Sequence, residues 1–406
     1  MRFSGFDDEW KKSNLGNISS NEMYGMNSAA KDYDGFNKYI RITDISETSN
    51  KFIPNPLTSP DGDLEDKYKL KKGDIVFART GASTGKTYLY DDNDRNLYFA
   101  GFLIKFHIDN ADPKFIFYNT LKEEYLNWVS VMSVRSGQPG INSNEYKKLP
   151  IILPSLDEQN KISNFLTSID KKIDLLERKH QFYQEFKKFL MQQIFTQKLR
   201  FDFDEIRLKS ISKINKGKQL NKEHMLEIGK FYVLNGGQEP SGYTDSWNTS
   251  ENTITISEGG NSCGFVNFNT EKFWSGGHCY YLNKLSENID VYYLYSYLKF
   301  IEPQIMRLRV GSGLPNIQKG DIENIKIKIL PKKEQIKISN LLLSTDNKIS
   351  SIESQKDSFE IFKKGLLQQM FVVRINWRCN FKLAKSPSFN KHLLILKNKI
   401  IFIIIE

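Results

Sequence analysis

Residues that commonly carry catalysis or bind metals are scarce in this chain of 406 residues. The three cysteines lie far apart in no metal-ligand spacing, and the five histidines are scattered. The sequence has no HExxH, no recognisable nucleophile-base arrangement and no Asn-Pro-Pro-aromatic signature of adenine methyltransferases, which Asn55-Pro56-Leu57 only approaches. We therefore predict a chain that is not an enzyme and binds no metal or cofactor, with free thiols as in a reducing compartment.

Long apolar runs are also missing. Arg2 and the following residues form a mixed polar stretch, so we expect no secretory signal. The apolar end, residues 393–405, contains Lys397 and Lys399 and is too short to cross a bilayer. These features predict a cytoplasmic protein without a membrane partner.

The net charge of +10 is uneven along the chain. Residues 372–406 hold seven basic residues and one acidic residue, so this tail supplies six of the ten net positive charges. Bulk charge alone therefore does not indicate nucleic-acid binding, which would need a local basic surface.

The strongest pattern is an internal repeat. Glu158–Phe195 aligns with Glu334–Phe371 without a gap at an offset of 176 residues, and SGQPGINSNEY upstream of the first copy resembles SGLPNIQKGDI upstream of the second. Each half thus contains a variable body, a Ser-Gly loop, a short strand, a proline and a long helix. Apolar residues recur at alternating steps of four and three along both helices, which predicts a heptad seam.

The two seams are natural partners for each other. Antiparallel pairing would separate two bodies related by an approximate two-fold axis, so that one chain imitates a dimer. Two alternatives remain open: each helix could pack on its own body, or both could mediate homo-oligomers. Five of the twenty seam positions, ten in each helix, are not apolar: His180 and Lys187 in the first helix, Lys356 and Lys363 at the equivalent positions, and Thr345 in the second helix.

Both bodies have strand-like runs between Gly-rich turns, with shorter helices such as Asp290 to Phe300. We read each as a mixed domain, so the predicted fold class is α/β (α+β). The predicted strands are Lys38 to Ile45, Asp74 to Arg79, Tyr98 to Phe106, Phe231 to Leu234, Thr253 to Ser257 and Cys279 to Leu282.

Gly81–Thr87, GASTGKT, resembles a phosphate-binding P-loop. The P-loop pattern needs four residues between its first Gly and Gly-Lys, whereas this segment has three, and Thr80 stands where that Gly should be. A nucleotide hydrolase using this loop remains a rival hypothesis, which predicts that Lys86→Ala abolishes turnover.

Polar Gly-containing loops stand at matching places in both halves. Arg can clamp guanine and Asn or Gln can clamp adenine in the major groove, while Ser, Thr and Lys hold phosphates. The candidate DNA-binding residues of the first half are Arg79, Thr80, Ser83, Lys86, Arg135, Ser136, Gln138 and Asn142. Those of the second half are Asn235, Gln238, Asn261, Arg309, Ser312 and Asn316.

Over nearly all of residues 1–371 the chain resembles the specificity subunits of type I restriction-modification systems. The resemblance is carried by YIRITDI, LKKGDIVFARTGASTGK, SGQPGIN, LPSLDEQNKI and FKKFLMQQIF in the first half, and by YVLNGGQEPSGY, TISEGG and ILPKKEQIKI in the second. It implies target-recognition domains at residues 1–153 and 201–330, conserved spacer helices at 154–200 and 331–371, and an atypical tail at 372–406.

The resemblance also implies function and partners. Each recognition domain would read one half of a bipartite double-stranded DNA site, and the helices would set the spacing and dock methyltransferase subunits, two in number. Because the two bodies differ in sequence, the half-sites should differ. The complex would methylate adenine N6 with S-adenosylmethionine and cut phage DNA through a restriction/translocase subunit using ATP and Mg. The rival from another class is a coiled-coil adaptor that binds proteins and not DNA.

Two features depart from the family. The FxGFxxEW-like opening begins almost at Met1, and residues 372–406 have no counterpart in the first half. We expect this tail to be an appended or read-through segment that assembly and methylation do not need.

Overall fold

A computed structural model gives the fold of residues 2–196, 204–311, 313 and 315–371. These residues divide into two compact units, one of residues 2–163 with 366–371 and one of residues 164–365. We call residues 11–153 the first body and residues 204–329 the second body. The predicted tail, residues 372–406, lies outside the described residues.

The first body combines short strands with short helices. In chain order its elements are β1 (Lys11–Asn14), α1 (Leu15–Ile18), β2 (Ser19–Tyr24), β3 (Ala30–Asp32), β4 (Lys38–Ile40), β5 (Thr58–Pro60), β6 (Asp74–Ala78), β7 (Thr87–Leu89), β8 (Leu97–Phe99), β9 (Leu103–Ile108), α2 (Pro113–Asn119), α3 (Glu123–Met132), α4 (Ser143–Lys147) and β10 (Pro150–Leu153). They lead into the long helix α5 (Leu156–Phe195).

A four-stranded antiparallel sheet of order β2-β9-β6-β7 forms the centre of this body. All five residues of β6 are buried, as expected of a strand covered on both faces. β4 and β8 form a parallel pair beside it, and β1 closes the body by pairing with β10. The core of this region consists of Ile40, Ile45, Leu70, Val76, Ala78, Tyr88, Leu97, Phe99 and Leu103.

The second body repeats this plan. Its elements are β11 (Asp204–Arg207), β12 (Lys213–Lys216), β13 (Phe231–Leu234), β14 (Gly242–Thr244), β15 (Thr253–Ser257), β16 (Val266–Asn269), β17 (Trp274–Ser275), β18 (Cys279–Asn283), α6 (Val291–Phe300), α7 (Glu302–Met306), α8 (Lys319–Glu323) and β19 (Lys326–Ile329), followed by the long helix α9 (Lys332–Met370). Its antiparallel sheet has the order β12-β18-β15-β16, the counterpart of β2-β9-β6-β7. The mixed α/β class predicted from the sequence is confirmed.

Two predicted strands are shorter than the apolar pattern suggests. The run from Lys38 ends its strand at Ile40, because Arg41 and Asp44 form two side-chain hydrogen bonds at 2.8–2.9 Å that fold the next residues into a 3-10 turn. The run Tyr98 to Phe106 is two strands, β8 and β9, separated by the turn at Gly101.

Each long helix begins one or two residues after a proline and is tied to its own body by a buried glutamine. Gln159 accepts the Asp112 backbone N–H at 2.9 Å and donates to the Pro154 carbonyl at 3.0 Å. Gln335, 176 residues later, accepts the Asp290 N–H at 2.8 Å and donates to the Leu330 carbonyl at 2.7 Å. The repeat seen in the sequence is thus reproduced in individual hydrogen bonds.

Within the second unit, α5 and α9 pair in antiparallel fashion. Three cross-helix ion pairs, each 2.6 Å long, join Asp170 to Lys363, Glu177 to Lys356, and Lys187 to Asp346. As the residue number rises along one helix it falls by the same step along the other, which defines an antiparallel register. Three of the five polar seam positions, Lys187, Lys356 and Lys363, therefore hold interhelical ion pairs.

None of the helices in the described ranges combines the length and apolarity needed to span a membrane.

Candidate nucleic-acid interface

In the first body, the two predicted loops lie side by side. Residues 79–86 form a tight turn between β6 and β7, and residues 135–142 connect α3 to α4. Thr80 forms a bridge with Gly140, and the Gly81 N–H donates to the Pro139 carbonyl at 3.0 Å. These segments, more than 50 residues apart in sequence, therefore form one surface, which we call the first loop pair.

Arg79 is held in this loop pair by one hydrogen bond and two aromatic rings. Its Nε donates to the Gly101 carbonyl at 3.0 Å. Its guanidinium carbon lies 5.0 Å from the ring centroid of Tyr24 and 5.9 Å from that of Phe102, within cation–π range of both. Both rings are exposed. The sequence pattern marks the arginine but not these rings, because each ring stands on a strand or turn distant from the arginine in the chain.

Three other predicted residues already have partners on the protein. Lys86 pairs with Glu47. Arg135 binds both carboxylate oxygens of Glu145 at 2.6 Å. Asn142 caps α4 by accepting the Glu145 N–H at 3.0 Å, in a reciprocal capping box. A DNA contact by Lys86 or Arg135 would have to share or replace its carboxylate.

The remaining first-body candidates differ in exposure. Ser136 and Gln138 are exposed at the tip of the loop, whereas Thr80 and Ser83 are half-buried in the turn. The exposed pair is open to a ligand as the structure stands, and the half-buried pair contributes mainly to the shape of the turn.

The second body builds the same arrangement from residues 258–265 and 309–317. Gly259 forms a bridge with Asn316, and the Gly260 N–H donates to the Pro315 carbonyl at 3.0 Å. These bonds correspond one for one to those of the first loop pair. Arg309, Gln238 and Asn261 are exposed in or beside this second loop pair. Ser312 lies outside the described residues.

Two predicted asparagines of the second body have incompletely satisfied side chains. The Oδ1 atoms of Asn235 and Asn316 are buried and accept no hydrogen bond within the described part of the chain. Buried polar atoms in folded proteins nearly always have a partner, which is often a water molecule. Because these oxygens are buried, the two asparagines support the surface at least as much as they offer contacts on it.

The centre of the second loop pair is the buried Glu258. Its Oε1 accepts from Lys216 Nζ at 2.6 Å and from the Tyr280 hydroxyl at 2.9 Å. His278 Nδ1 lies 3.5 Å from Oε2, close enough for an ion pair when the imidazole is protonated. Burial, reinforced by the neighbouring Glu258, raises the pKa of the Tyr280 hydroxyl, which therefore remains a hydrogen-bond donor. Neither Lys216 nor His278 is among the residues predicted from the sequence.

The GASTGKT segment does not have P-loop geometry. A P-loop leads into a helix whose N-terminus faces the phosphates, whereas Gly81–Ser83 is one 3-10 turn that leads into strand β7. The same turn recurs at residues 258–265, where Phe265 occupies the position of Lys86. The lysine is therefore not required by the turn, and the hydrolase hypothesis loses its site.

Acidic, histidine and cysteine side chains form no group able to hold a metal ion within the ranges that the structure describes. Cys263 and Cys279 are buried free thiols. Burial raises the pKa of Cys279 to about 11 and also raises that of Cys263, so neither is primed as a nucleophile.

Comparison with known proteins agrees with this geometry. The profile of the type I restriction modification DNA specificity domain matches the chain twice, over residues 7–181 and 201–360. A protein of Methanocaldococcus jannaschii named for the type I restriction enzyme MjaX specificity subunit is 24% identical over 347 residues, covering 76% of this chain and 80% of that protein. The HindI specificity subunit of Haemophilus influenzae is 27% identical over 208 residues, covering 50% of this chain and 43% of that protein.

Solved structures share the fold. The crystal structure of a type I restriction-modification S subunit from M. genitalium superposes with a TM-score of 0.67 at 19% identity, covering 91% of this chain and 98% of that one. A chain from a structural study of complex assembly in a type I system superposes at 0.52 with 17% identity, covering 91% of this chain and 99% of that one. Because the specificity-domain profile matches both halves, the chain belongs to the family of type I restriction-modification specificity subunits.

Proposed function

We propose that this chain binds an asymmetric bipartite DNA site, one half-site to each body, and holds methyltransferase subunits at that site. The observation that carries the proposal is the repeated loop pair: two bodies present the same backbone surface with different side chains. A repeated backbone with changed side chains is what two readers of different base sequences need, because base edges are distinguished by donor and acceptor placement.

The chemistry of the loop pairs suits DNA. The first presents Arg79 between two aromatic rings, with Ser136 and Gln138 exposed beside it. The second presents Lys216, His278 and Arg309 at its surface. Such groups donate hydrogen bonds to phosphates and to base acceptors. They supply the local basic surface that DNA binding needs and that the net charge alone does not establish.

Docking of partner subunits is supported by an apolar surface on α5. Phe182 and Phe189 are 60% and 54% exposed, and Phe186 stacks on Phe182 with ring centroids 6.2 Å apart and an interplanar angle of 6°. Clustered exposed phenylalanines on a surface helix usually mark a contact with another macromolecule. We assign this surface to the methyltransferase subunits, and through them to the restriction/translocase subunit.

In this proposal the chain itself has no catalytic role and binds no cofactor. S-adenosylmethionine would serve the methyltransferase partner, which modifies adenine N6, and ATP with Mg would serve the restriction/translocase partner. The complex would act in the cytoplasm, where phage DNA enters.

The experiment is co-expression of the full chain with its methyltransferase subunit in a host that lacks DNA methylation, followed by single-molecule mapping of N6-methyladenine. We expect one asymmetric two-part motif. A soluble complex that neither methylates nor binds double-stranded DNA would contradict the proposal and favour the protein-binding adaptor.

The docking surface has its own control. Phe182→Ser with Phe189→Ser should abolish co-purification with the methyltransferase subunit, whereas Gln181→Ser, at the neighbouring exposed position, should not. Retention of the partner by the double variant would contradict the assigned surface.

A further inference from the structure

Backbone hydrogen bonds establish which residues of the two loop pairs occupy equivalent positions. Arg79 N–H donates to the Phe102 carbonyl at 3.0 Å, and Glu258 N–H donates to the His278 carbonyl at 3.0 Å. The carbonyl of Arg79 accepts from Ile141 N–H, and the carbonyl of Glu258 accepts from Ile317 N–H, both at 2.9 Å. Arg79 therefore corresponds to Glu258, and Phe102 to His278.

A third equivalent pair follows from the strand registers. Tyr24 pairs with Ile104 at the end of β2, and Lys216 pairs with Tyr280 at the end of β12. The next residue is glycine in both bodies, because a Cβ there would approach a carbonyl oxygen to 2.3 Å at Gly25 and 2.2 Å at Gly217. Tyr24 therefore corresponds to Lys216. We call these three equivalent positions the reading triad.

The triad has opposite construction in the two bodies. In the first, a central cation, Arg79, lies between Tyr24 and Phe102, which are 40% and 55% exposed. In the second, a buried central anion, Glu258, holds Lys216 and faces His278, whose side chains are 51% and 63% exposed. One backbone site thus presents a guanidinium between two rings in one body, and two nitrogen donors above a carboxylate in the other.

We propose that the reading triad determines base identity in each half-site, an inference that rests on the DNA-binding function proposed above. Arg79 Nε is fixed by the Gly101 carbonyl, which leaves the terminal guanidinium nitrogens to donate to paired base acceptors such as guanine O6 and N7, while the exposed rings pack on neighbouring apolar edges such as the thymine methyl.

In the second body, Lys216 donates to the base edge and Glu258 is a positioning residue. The 2.6 Å bond to the carboxylate fixes the ammonium of a flexible side chain, which lowers the entropy lost when the lysine contacts a base. The second half-site should therefore depend on Glu258 although its carboxylate is buried.

The test uses the complete complex with the methyltransferase subunit. Arg79→Gln should reduce discrimination at one or two base pairs of a single half-site by about tenfold to a hundredfold, as expected for loss of a bidentate base contact. Lys216→Gln and Glu258→Gln should do the same in the other half-site only. The matched controls are Arg95→Gln, on the turn that precedes β8, and Glu251→Gln, at the opposite end of β15 from Glu258.

The readout distinguishes positioning from a general loss of structure. If Glu258 acts through Lys216, the variant that combines Lys216→Gln with Glu258→Gln should methylate the same set of DNA motifs as Lys216→Gln alone. A merely structural role would lower total methylation without changing the preferred bases. Lys216 is exposed, so Lys216→Gln tests the inference for the second body even if Glu258→Gln fails to fold. In the first body, Arg79→Lys keeps the positive charge but removes the bidentate guanidinium, and it tests the inference there if Arg79→Gln fails to fold.

The two proposals fail in different ways. A wild-type complex with a two-part motif, together with triad variants that keep both half-sites, would overturn the reading triad alone. A wild-type complex that binds and methylates no DNA would overturn the DNA-binding function and the triad with it.

Discussion

One methyl group added at Gly85 should destabilise the first body far more than the same addition at Gly81. Both glycines belong to the turn between β6 and β7 and both have positive φ, +92° and +71°. A Cβ at Gly85 would lie 2.5 and 2.9 Å from the two Cγ atoms of Val129, whereas a Cβ at Gly81 would meet nothing within 4 Å. The two substitutions share the backbone strain and differ in the clash.

The expected magnitudes follow from these two contributions. Placing alanine at positive φ costs about 1–2 kcal/mol at either position. Overpacking against Val129 adds about 1–3 kcal/mol for Gly85→Ala, because one rotation cannot move both methyl groups of a β-branched side chain away. With about 2–4 °C of Tm per kcal/mol for a unit of this size, Gly85→Ala should melt about 2–12 °C below Gly81→Ala.

The second body supplies an independent copy of the experiment. Gly264, at φ +90°, would place a Cβ 2.9 Å from the Met306 Cα and 3.0 Å from its backbone nitrogen, whereas Gly260, at +73°, meets nothing within 4 Å. Thermal unfolding of the full chain by calorimetry should rank Gly264→Ala below Gly260→Ala. Equal Tm values within both pairs would refute the close packing of these turns against Val129 of α3 and Met306 of α7.

Three further outcomes follow from single contacts. Glu177→Lys should lower the free energy of unfolding, and the charge exchange Glu177→Lys with Lys356→Glu should restore it. Because the 2.6 Å ion pair is partly exposed, we expect a coupling free energy of about 0.5 kcal/mol in a double-mutant cycle. Additive effects of the two substitutions would argue against the interhelical pair. Gln335→Ala leaves buried backbone groups unsatisfied and should cost about 2–4 kcal/mol by urea unfolding, against almost nothing for the exposed Gln355→Ala. Because burial raises the pKa of Cys279 from 9.0 to about 11, the folded chain at pH 8 should hold about a hundredfold less thiolate there than the unfolded chain. Peptide mapping after iodoacetamide treatment should therefore show slow alkylation of Cys279 in the folded chain. Labelling as fast as in urea would contradict a buried thiol.

Patterns within the sequence were enough to predict the two long helices and the mixed α/β fold. Heptad spacing is a property of neighbours on one helix, and every seam position is buried or half-buried in the structure. Gln159 and Gln335, which the gapless repeat aligns, make equivalent hydrogen bonds in the structure. The antiparallel partner was inferred from the shared seam, and the ion pairs confirm it within the second unit.

The partners of individual side chains could not be predicted from the sequence. Arg135 and Asn142 look like free polar groups in the sequence, yet both engage Glu145. Arg41 and Asp44, three residues apart within an apolar run, end a strand that the run alone would extend. Whether a polar side chain is free to contact a ligand depends on which charged group the fold brings within about 3 Å of it. The residue type does not specify that partner.

The sequence by itself determined the repeat, the helix register and the glycine-containing loops, because periodicity and conformational freedom act over a few neighbouring residues. Only the tertiary structure decided that Tyr24, Arg79 and Phe102 meet, and that Lys216, Glu258 and His278 meet at the equivalent place. Strand order in the sheets brings these residues together across separations of about 20 to 80 positions. Hydrogen bonding between strands, which local spacing does not encode, fixes their register.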